Sequence, residues 1–382
     1  MLHRFLTPTE IILGKDSIKE IEGIIERENF QSALILTDKG IVQAGILPSL
    51  TNLLEEKCTY TIFDEVEPNP TDRVVEKAFS LFLKVKPDVL IAVGGGSSMD
   101  TAKAVGILAT NGGEIIDFKG IDKVKAPITP IVAVPTTAGT GSEVTTTTVI
   151  NDTKQILKYS IGGQHVAARW ALLDPALTLT LPPHITAATG VDALTHAIEA
   201  YTSKKSYGLT DTLAVQAIRL IGENLRTAVF EGNNIEARQK MLEASLIAGI
   251  AFNNAKLGLC HALCNPLGAQ FGVAHGVANS ILLPRVTKFN LPAQLKKYAI
   301  VAQLLGENTD NCSVNEAAEK VVTAIEKLII DVQLPFTLGE VGVDQKAVTQ
   351  MVDECIDNPL IDINPRKATR DELIQIYKDC FH

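Results

Sequence analysis

The sequence predicts an α/β N-terminal domain built on a parallel sheet, followed by an all-helical C-terminal domain. In the first half, short runs rich in Ile, Val and Leu alternate with helical stretches, a pattern typical of parallel strands joined by crossovers. Beyond about residue 182 no segment resembles a strand, and apolar residues recur at three- and four-residue intervals. Because Leu181-Pro182-Pro183 interrupts the chain between these regions, we predict domains at residues 1–181 and 182–382.

The secondary-structure elements follow from local patterns. The predicted strands are short, continuous apolar runs bounded by turn residues: Ser32–Thr37, Tyr60–Phe63, Asp88–Val93 and Ile131–Pro135. The predicted helices between them are Asp16–Arg27, Pro48–Lys57, Thr71–Lys84 and Met99–Asn111. A β-hairpin is predicted from Val144–Ile150 and Gln155–Ile161, which flank Asn151-Asp152. In the second half the predicted helices include Ile185–Thr202, Thr210–Val229, Ile235–Asn253 and Val314–Val332.

The composition limits the possible functions. The chain has 382 residues, with 35 basic against 44 acidic side chains and a net charge of −9. This charge, with no basic run containing interleaved aromatics, excludes nucleic acid as a partner. No apolar run approaches the roughly 20 residues that cross a bilayer, and the N-terminus lacks the features of a secretory signal. The six cysteines are sparse and unevenly spaced, so we expect a cytoplasmic protein with no disulfide framework and no membrane partner.

Two glycine-containing loops follow predicted strands. In DVLIAVGGGSSMDTAK (88–103), a strand leads into Gly94, Gly95, Gly96 and Ser97 and then into a helix. Glycine lets a backbone approach a phosphate closely, and the amides of a helix start bind the anion. The sequence is not GxGxxG, so a tight strand-to-helix turn is the alternative. The second loop, PTTAGTGSE (135–143), also follows a strand, and two such loops at neighbouring strand ends favour nucleotide binding.

Asp38 follows the predicted strand Ser32–Thr37. A carboxylate at that position accepts the ribose hydroxyls of an adenosine and repels a 2′-phosphate, which would favour NAD(H) over NADP(H). A helix N-cap or turn aspartate is an alternative that the sequence does not separate from this one.

Acidic and imidazole side chains suggest a metal site in the helical half. Asp192 and His196 are four residues apart, so they project from one helix face, although a first-turn acid and a core histidine would show the same spacing. His261 and His275 also lie in apolar helical stretches, where unpartnered imidazoles would be costly to bury. One oxygen and three nitrogen ligands suit Fe²⁺, Zn²⁺ or Ni²⁺ better than Ca²⁺ or Mg²⁺. Cys260 and Cys264 are interpreted as small buried residues.

Seven motifs, in order along nearly the whole chain, carry a family resemblance. They are GGGSSMDTAK (94–103), PTTAGTGSE (135–143), DPALTLTLPP (174–183), AATGVDALTHAIEAY (187–201), GLCH (258–261), AHGVANSILLP (274–284) and NPR (364–366). As a set they are highly specific, and the chain resembles the iron-containing, or group III, alcohol dehydrogenases. The resemblance implies a nucleotide-binding α/β domain, a helical domain and a catalytic cleft between them.

The resemblance also implies roles for individual residues. It makes Asp192, His196, His261 and His275 the metal ligands, with Fe²⁺ first and Zn²⁺ as the alternative metal. The cofactor-binding residues that it implies are Asp38, Gly94, Gly95, Gly96, Ser97, Asp100, Thr136, Thr137, Thr140, Ser142 and Lys158. It places Thr147 and Phe252 in the substrate pocket.

One position departs from the pattern of similar enzymes. Many of them have a histidine four residues after the third metal ligand, near substrate and nicotinamide, where this chain has Asn265. An asparagine forms hydrogen bonds but does not titrate, so it is no general acid or base. We therefore expect that water and ribose hydroxyls carry the proton, or that the substrate range differs, with Asn265 in the substrate pocket.

The predicted function is that of a metal-dependent, NAD(H)-linked alcohol dehydrogenase or aldehyde reductase. In it a metal acts as Lewis acid on a small alcohol, diol or aldehyde, and hydride passes between the substrate carbon and the nicotinamide. A homo-oligomer, most simply a dimer, is expected from the resemblance. The alternatives are a glycerol-dehydrogenase-like or other fold relative with a different substrate, and a weakly active nucleotide-binding relative.

Overall fold

The structure, a computed structural model, describes residues 2–154 and 157–382. The chain divides into two compact units. One is Leu6–Thr180, and the other contains Leu181–His382 together with the first residues of the chain.

The Leu6–Thr180 unit is an α/β structure. Its described residues form the strands β1 (Glu10–Leu13), β2 (Ser32–Leu36), β3 (Thr59–Phe63), β4 (Val89–Gly94), β5 (Gly120–Ile121), β6 (Ile131–Pro135), β7 (Thr147–Asp152), β8 (Leu157–Gly162) and β9 (Trp170–Leu173). Its helices are α1 (Glu20–Glu28), α2 (Lys39–Gln43), α3 (Pro48–Leu54), α4 (Asp72–Val85) and α5 (Gly96–Asn111). Short 3₁₀ turns lie at Ser17–Lys19, Ile115–Phe118 and Pro175–Thr178.

The main sheet has six parallel strands in the order β1-β9-β6-β4-β2-β3. Alternate side chains of β2 enter different cores, because successive residues of a strand point to opposite faces. Ile35 joins one apolar cluster with Ile24 of α1, whereas Leu34 joins another with Val75 of α4 and Val105 of α5. Helices therefore cover both faces, and the α/β class predicted from the alternating pattern is confirmed.

The strand order changes direction between β2 and β4. The chain leaves β2 towards β3 on one side, whereas β4 leads to β6 on the other. In an open parallel sheet, such a reversal opens a crevice at the carboxyl ends of the two strands, where ligands bind. Gly94 at the end of β4 is paired with Pro135 at the end of β6, so both glycine-containing loops begin at this edge.

A second sheet contains β5, β8 and β7, and its β7–β8 pair is antiparallel, which confirms the predicted hairpin. The predicted position of its turn is wrong. Asn151 and Asp152 belong to β7 and pair with Lys158 and Leu157, and the Asn151 amide donates to the Pro70 carbonyl at 2.9 Å. These contacts continue the strand past the turn-forming residues. The predicted start of the second strand, 155–156, lies outside the described residues.

The other unit contains helices and no strand among its described residues. Its helices are α6 (Pro183–Thr202), α7 (Gly208–Phe230), α8 (Ile235–Ala255), α9 (Leu259–Phe271), α10 (His275–Asn290), α11 (Leu295–Leu304), α12 (Val314–Asp331), α13 (Val348–Cys355), α14 (Pro359–Ile363) and α15 (Arg370–Asp379). Short 3₁₀ turns lie at Leu291–Ala293 and Gln345–Ala347. Helix α6 is buried along most of its length, including Asp192 and His196, so it forms the centre of this unit.

No helix within residues 2–154 and 157–382 combines by itself the length and the apolar character that a membrane span needs. The pair α8 and α9 meets the test together, with a bend of 106° between the two helices.

Candidate functional site

Three helices bring a carboxylate and three imidazoles together. Asp192 and His196 lie one turn apart on α6, His261 lies in the first turn of α9, and His275 is the first residue of α10. Their ligand atoms all lie within 4.8 Å of one another. The Nε2 atoms of His196, His261 and His275 lie 3.9, 3.8 and 3.6 Å from Oδ1 of Asp192.

These four side chains have the chemistry and spacing that a divalent metal requires. Ligands about 2.1 Å from a tetrahedral ion lie roughly 3.4 Å from one another, close to the spacings seen here. Asp192, His196 and His261 are only 3%, 4% and 5% exposed, so a shared partner is needed to offset the loss of water. Burial opposes ionisation of Asp192, but the three imidazoles and the Asn279 amide outweigh it and lower the pKa of this carboxyl.

Asn279 and Glu199 contact the imidazoles from opposite sides. Nδ2 of Asn279 donates to Oδ1 of Asp192 at 2.7 Å and lies 3.3 and 3.4 Å from Nε2 of His261 and His275. The Glu199 carboxylate only accepts, so Nδ1 of His261, 2.6 Å from it, carries the proton and Nε2 of the neutral ring carries the lone pair. This lone pair is on the side where the ligand atoms meet, which is the tautomer that a metal site needs.

Glu199 fixes the orientation of His261. Its carboxylate accepts from Nδ1 of His261 at 2.6 Å and from the backbone amides of Gly258 and Cys260 at 3.0 and 2.6 Å. A carboxylate on the second nitrogen of a ligating histidine is a common device for holding the ring, and a negative charge at the start of α9 is favourable. Glu199 was not predicted from the sequence. An indication was present, because this glutamate follows His196 by three residues in a stretch of mostly apolar side chains.

The NPR motif also acts on α9. Oδ1 of Asn364 accepts from the amide of Leu259 at 3.3 Å and from Nδ2 of Asn290 at 3.0 Å. Asn364 is 1% exposed, so this amide is part of the interior that fixes where α9 begins. The motif therefore has a structural function beside His261.

The predicted substrate-pocket residues are divided between the two units. The Phe252 ring stacks on the His196 ring, with centroids 4.4 Å apart and a 27° angle between planes. Asn265 lies one helical turn after His261 and is half-buried, and its side chain makes no hydrogen bond within residues 2–154 and 157–382. Thr147 is in β7 of the α/β unit, where its carbonyl accepts from Lys103.

The glycine-rich loop in the α/β unit packs tightly against the second loop. A Cβ atom added to Gly95 would lie 3.3 Å from Oγ1 of Thr137, and one added to Gly96 would lie 3.0 Å from Cγ2 of Thr140. Gly94 has a φ of +147°, which side chains rarely adopt. No side chain of the described residues caps the start of α5, so its first amides are available to an anion. These features fit the pyrophosphate of a dinucleotide.

Asn69 connects Ser97 with Lys158. Its amide donates to Oγ of Ser97 at 3.2 Å, and its Oδ1 accepts from Nζ of Lys158 at 3.3 Å. Asn69 has a φ of 54°, and such strained residues cluster at functional sites. Asn69 was not predicted from the sequence. In the second loop, Oγ1 of Thr136 is buried without a hydrogen-bond partner in the described part of the chain.

Asp38 is the N-cap of α2, so one of the two alternatives for it is confirmed. Its Oδ1 accepts from the Ile41 amide at 3.0 Å. Its Oδ2 lies 3.6 Å from the position of a Cβ built on Gly94. Because Asp38 follows β2 and Gly94 ends β4, this carboxylate also stands in the crevice where the strand order reverses.

Lys103 is the centre of a buried network. It is 1% exposed, and its Nζ donates to the carbonyls of Ser142, Thr145 and Thr147 at 2.7, 3.0 and 2.9 Å. Burial lowers its pKa to about 8. The same burial raises the pKa of Asp100, whose Oδ1 accepts from Ser142 Oγ, to about 6. This network ties the middle of α5 to the end of the second loop and to the segment that follows it.

Glu143 belongs to the same buried region, and its pKa is raised from 4.5 to about 7, mainly by burial. A carboxyl with a raised pKa stabilises the folded state most below pH 4.5, and this contribution is lost as the pH rises to about 7. Glutamine does not titrate and so does not lose this contribution. As the pH rises from 4.5 to about 7, we therefore expect the free energy of unfolding of Glu143→Gln to increase relative to that of the unchanged chain, by about 1 kcal/mol or more. Urea unfolding at several pH values measures this, and parallel stability curves would contradict it. The pKa of Asp100 is also raised, from 3.8 to about 6, so the free energy of unfolding of Glu143→Gln should still fall as the pH rises through that interval.

The comparisons with known proteins agree with this arrangement. Residues 8–175 match the family model described as iron-containing alcohol dehydrogenase, and residues 186–381 match the C-terminal model of the Fe-containing alcohol dehydrogenase family. The chain is 41% identical to a 1,3-propanediol dehydrogenase of Citrobacter freundii, covering 99% of this chain and 98% of that protein. It is 38% identical to an NAD-dependent methanol dehydrogenase of Bacillus methanolicus, covering 98% and 99%.

A solved structure of a 1,3-propanediol oxidoreductase superposes with a TM-score of 0.98 at 40% identity, covering all of both chains. The predicted fold class and family are thereby confirmed. Membership implies a divalent metal and NAD-dependent chemistry. The chain belongs to the iron-containing alcohol dehydrogenase family and is an oxidoreductase acting on the CH–OH group.

Proposed function

We propose that this chain interconverts small alcohols or diols and their aldehydes with NAD(H), using a divalent metal held by Asp192, His196, His261 and His275. The observation that carries the proposal is the convergence of these four ligand atoms within 4.8 Å. A divalent ion held there supplies a Lewis acid, which lowers the pKa of an alcohol and polarises a carbonyl. Fe²⁺ is proposed first and Zn²⁺ second, because one oxygen and three nitrogens suit both ions.

The protein's own groups hold this arrangement. Glu199 fixes the ring of His261, and the Asn279 amide holds the carboxylate of Asp192. Phe252 stacks on His196 and gives this ring an apolar neighbour, which limits the access of water. Preformed geometry of this kind positions a substrate oxygen without reorganisation during the reaction.

The proposed dinucleotide site is in the α/β unit. Its elements are a close-packed glycine loop, an uncapped helix start, and hydroxyls and amides on the second loop. We propose that NAD(H) contacts Asp38, Gly94, Gly95, Gly96, Ser97, Asp100, Thr136, Thr137, Thr140, Ser142 and Lys158. The bound nicotinamide supplies the hydride acceptor or donor.

Cofactor preference is expected to depend on Asp38. Its charge opposes the 2′-phosphate of NADP(H), while its Oδ1 also caps α2. Asp38→Asn keeps a capping oxygen and removes the charge, so we expect the preference for NAD(H) to fall by about 10–100-fold, or 1.4–2.8 kcal/mol. Steady-state kcat/KM with both cofactors measures this, with Asp88→Asn as a control on a charge at the opposite end of the strands. A clear preference of the unchanged chain for NADP(H) would show that Asp38 is misassigned.

Substitutions of Asn265 test which groups carry the proton during the reaction. If water and ribose hydroxyls carry the proton, Asn265→Ala should cost little in kcat, and Asn265→His should raise turnover on simple alcohols. General acid–base assistance is worth about 10²–10⁴ in rate, which bounds the gain. Single-turnover kinetics of both variants give the answer. If Asn265→Ala eliminates turnover while metal and NADH still bind, Asn265 is instead a specific substrate contact.

The experiment that tests the proposed function is a substrate screen on protein loaded separately with Fe²⁺ and Zn²⁺. The panel contains 1,3-propanediol, methanol, longer alcohols and the corresponding aldehydes, because the first two are named for relatives of this chain. NADH-linked turnover that depends on the added metal is the expected result. Binding of NADH without turnover of any member would favour a weakly active nucleotide-binding relative.

None of the six cysteines forms a disulfide in the described part of the chain, which supports the proposal of a cytoplasmic location, where thiols stay reduced. That the chain forms a homo-oligomer, with a dimer as the predicted form, remains a prediction that light scattering in solution tests.

A further inference from the structure

We propose that Cys264 is a positioning residue for His275, and that His275 is the ligand whose release admits and frees the metal. The inference rests on the proposed metal site. It concerns how unequally the four ligands are held, and it begins from a contact of 3.0 Å between Sγ of Cys264 and Nδ1 of His275.

The direction of this hydrogen bond follows from the proposed coordination. Nε2 of His275 faces Oδ1 of Asp192 at 3.6 Å and would bind the metal as a neutral imidazole, so Nδ1 carries the proton. The imidazole therefore donates to the cysteine sulfur. Sulfur is a weak acceptor, whereas ligating histidines usually donate to a carboxylate, a carbonyl or water. Cys264 thus orients the ring of His275 with a weak bond.

His261 is held quite differently. Its Nδ1 donates at 2.6 Å to the carboxylate of Glu199, and the side chains of both residues are 6% exposed. A charge-assisted hydrogen bond of this kind is roughly twice as strong as a neutral one. The two histidines have the same chemistry towards the metal, but the hydrogen bond from Nδ1 is much stronger in His261 than in His275.

The location of His275 adds to this difference. Its side chain is 34% exposed, against 6% for His196 and 4% for Asp192. It is the first residue of α10, a helix start that no side chain within residues 2–154 and 157–382 caps. The backbone beside it is fixed, because a Cβ on Gly276 would lie 2.2 Å from the Ala188 carbonyl oxygen. Movement at this position therefore belongs to the His275 side chain, which makes it the exchangeable ligand.

The test is the rate at which Zn²⁺-loaded protein releases its metal to an excess of chelator, read by a colorimetric indicator. Cys264→Ala removes the acceptor, and Cys264→Val removes it while filling the space. Both should release Zn²⁺ about 10-fold faster, the lower limit of the usual effect of losing a hydrogen-bond partner of a metal ligand, because the sulfur is a weak acceptor. Cys264→Ser should slow release relative to Cys264→Ala, because a hydroxyl oxygen accepts. Cys355→Ala, which removes another buried thiol, should leave the rate unchanged.

The outcomes separate the possible explanations. Release within about twofold of the unchanged chain in both Cys264→Ala and Cys264→Val would overturn the inference. Fast release from Cys264→Ala with ordinary release from Cys264→Val would assign the effect to packing and would also overturn it. Should the unchanged chain retain no metal, the proposed metal site itself would be wrong, and this is measured first as the metal content before chelator is added.

Discussion

Replacing His261 with alanine is expected to eliminate turnover and to lower metal affinity more than about 100-fold. Loss of a contact behind a ligand already costs about 10–100-fold, and the loss of a ligand itself should cost more. The change also leaves the Glu199 carboxylate buried without its imidazole partner. The metal content of purified protein and NADH-linked turnover measure the two effects, after reloading with Fe²⁺ or Zn²⁺.

His184→Ala is the matched control, because His184 is exposed at the beginning of α6, the helix that carries Asp192. It should keep both metal and turnover. Glu199→Gln should lie between the two, since the amide still accepts a hydrogen bond but the charge is lost. Full metal occupancy with near-normal turnover in His261→Ala would remove this residue from the metal site.

Sequence patterns were sufficient to nominate the four candidate ligands, and the reason is physical. Asp192 and His196 have the spacing of one helical turn, and four residues of this chemistry are costly to bury unless they share a partner. The residues that form hydrogen bonds with these ligands were harder to predict from the sequence. Glu199 and Asn279 resemble ordinary polar residues on helices, and only the assembled structure shows that they contact His261 and Asp192.

Some strands could be predicted from the sequence and others could not. Continuous apolar runs such as Ile131–Pro135 were predicted correctly, because fully buried parallel strands have few other interpretations. Strands β1, β5 and β9 were missed. β5 has only two residues, and β1 and β9 have four each, which is too short to distinguish from a loop or a helix turn. The hairpin turn was misplaced because Asn151 is stabilised in β7 by a contact with Pro70, far away in sequence.

Lys103 is the clearest case of a residue that the sequence could not assign. Within GGGSSMDTAK it resembles a lysine on the solvent face of a helix, the usual location of this residue type. Its burial depends on the carbonyls of Ser142, Thr145 and Thr147, some forty residues further along the chain. The three ammonium donors match these three carbonyls, which explains how a charged group is accommodated at 1% exposure.

Replacing Lys103 with methionine should therefore destabilise the α/β unit by about 3–5 kcal/mol, the usual result of removing one partner of a buried charge. Methionine preserves the apolar stem but removes the ammonium donor from the three carbonyls and the positive charge beside Asp100 and Glu143. The segment after the second loop loses its anchor on α5, so NADH affinity should fall at least tenfold, or about 1.4 kcal/mol. Urea unfolding and fluorescence titration with NADH measure the two effects.

Lys77→Met is the control for this change, because Lys77 lies on α4 of the same unit with a 62% exposed side chain and a surface ion pair to Glu65. A surface substitution of this kind should change the free energy of unfolding by less than about 0.5 kcal/mol. The comparison separates the loss of a lysine from the loss of a buried lysine. If Lys103→Met and Lys77→Met unfold at the same urea concentration, the network around Lys103 does not stabilise the fold. If Lys103→Met is destabilised but binds NADH normally, the network supports the sheet without positioning the second loop.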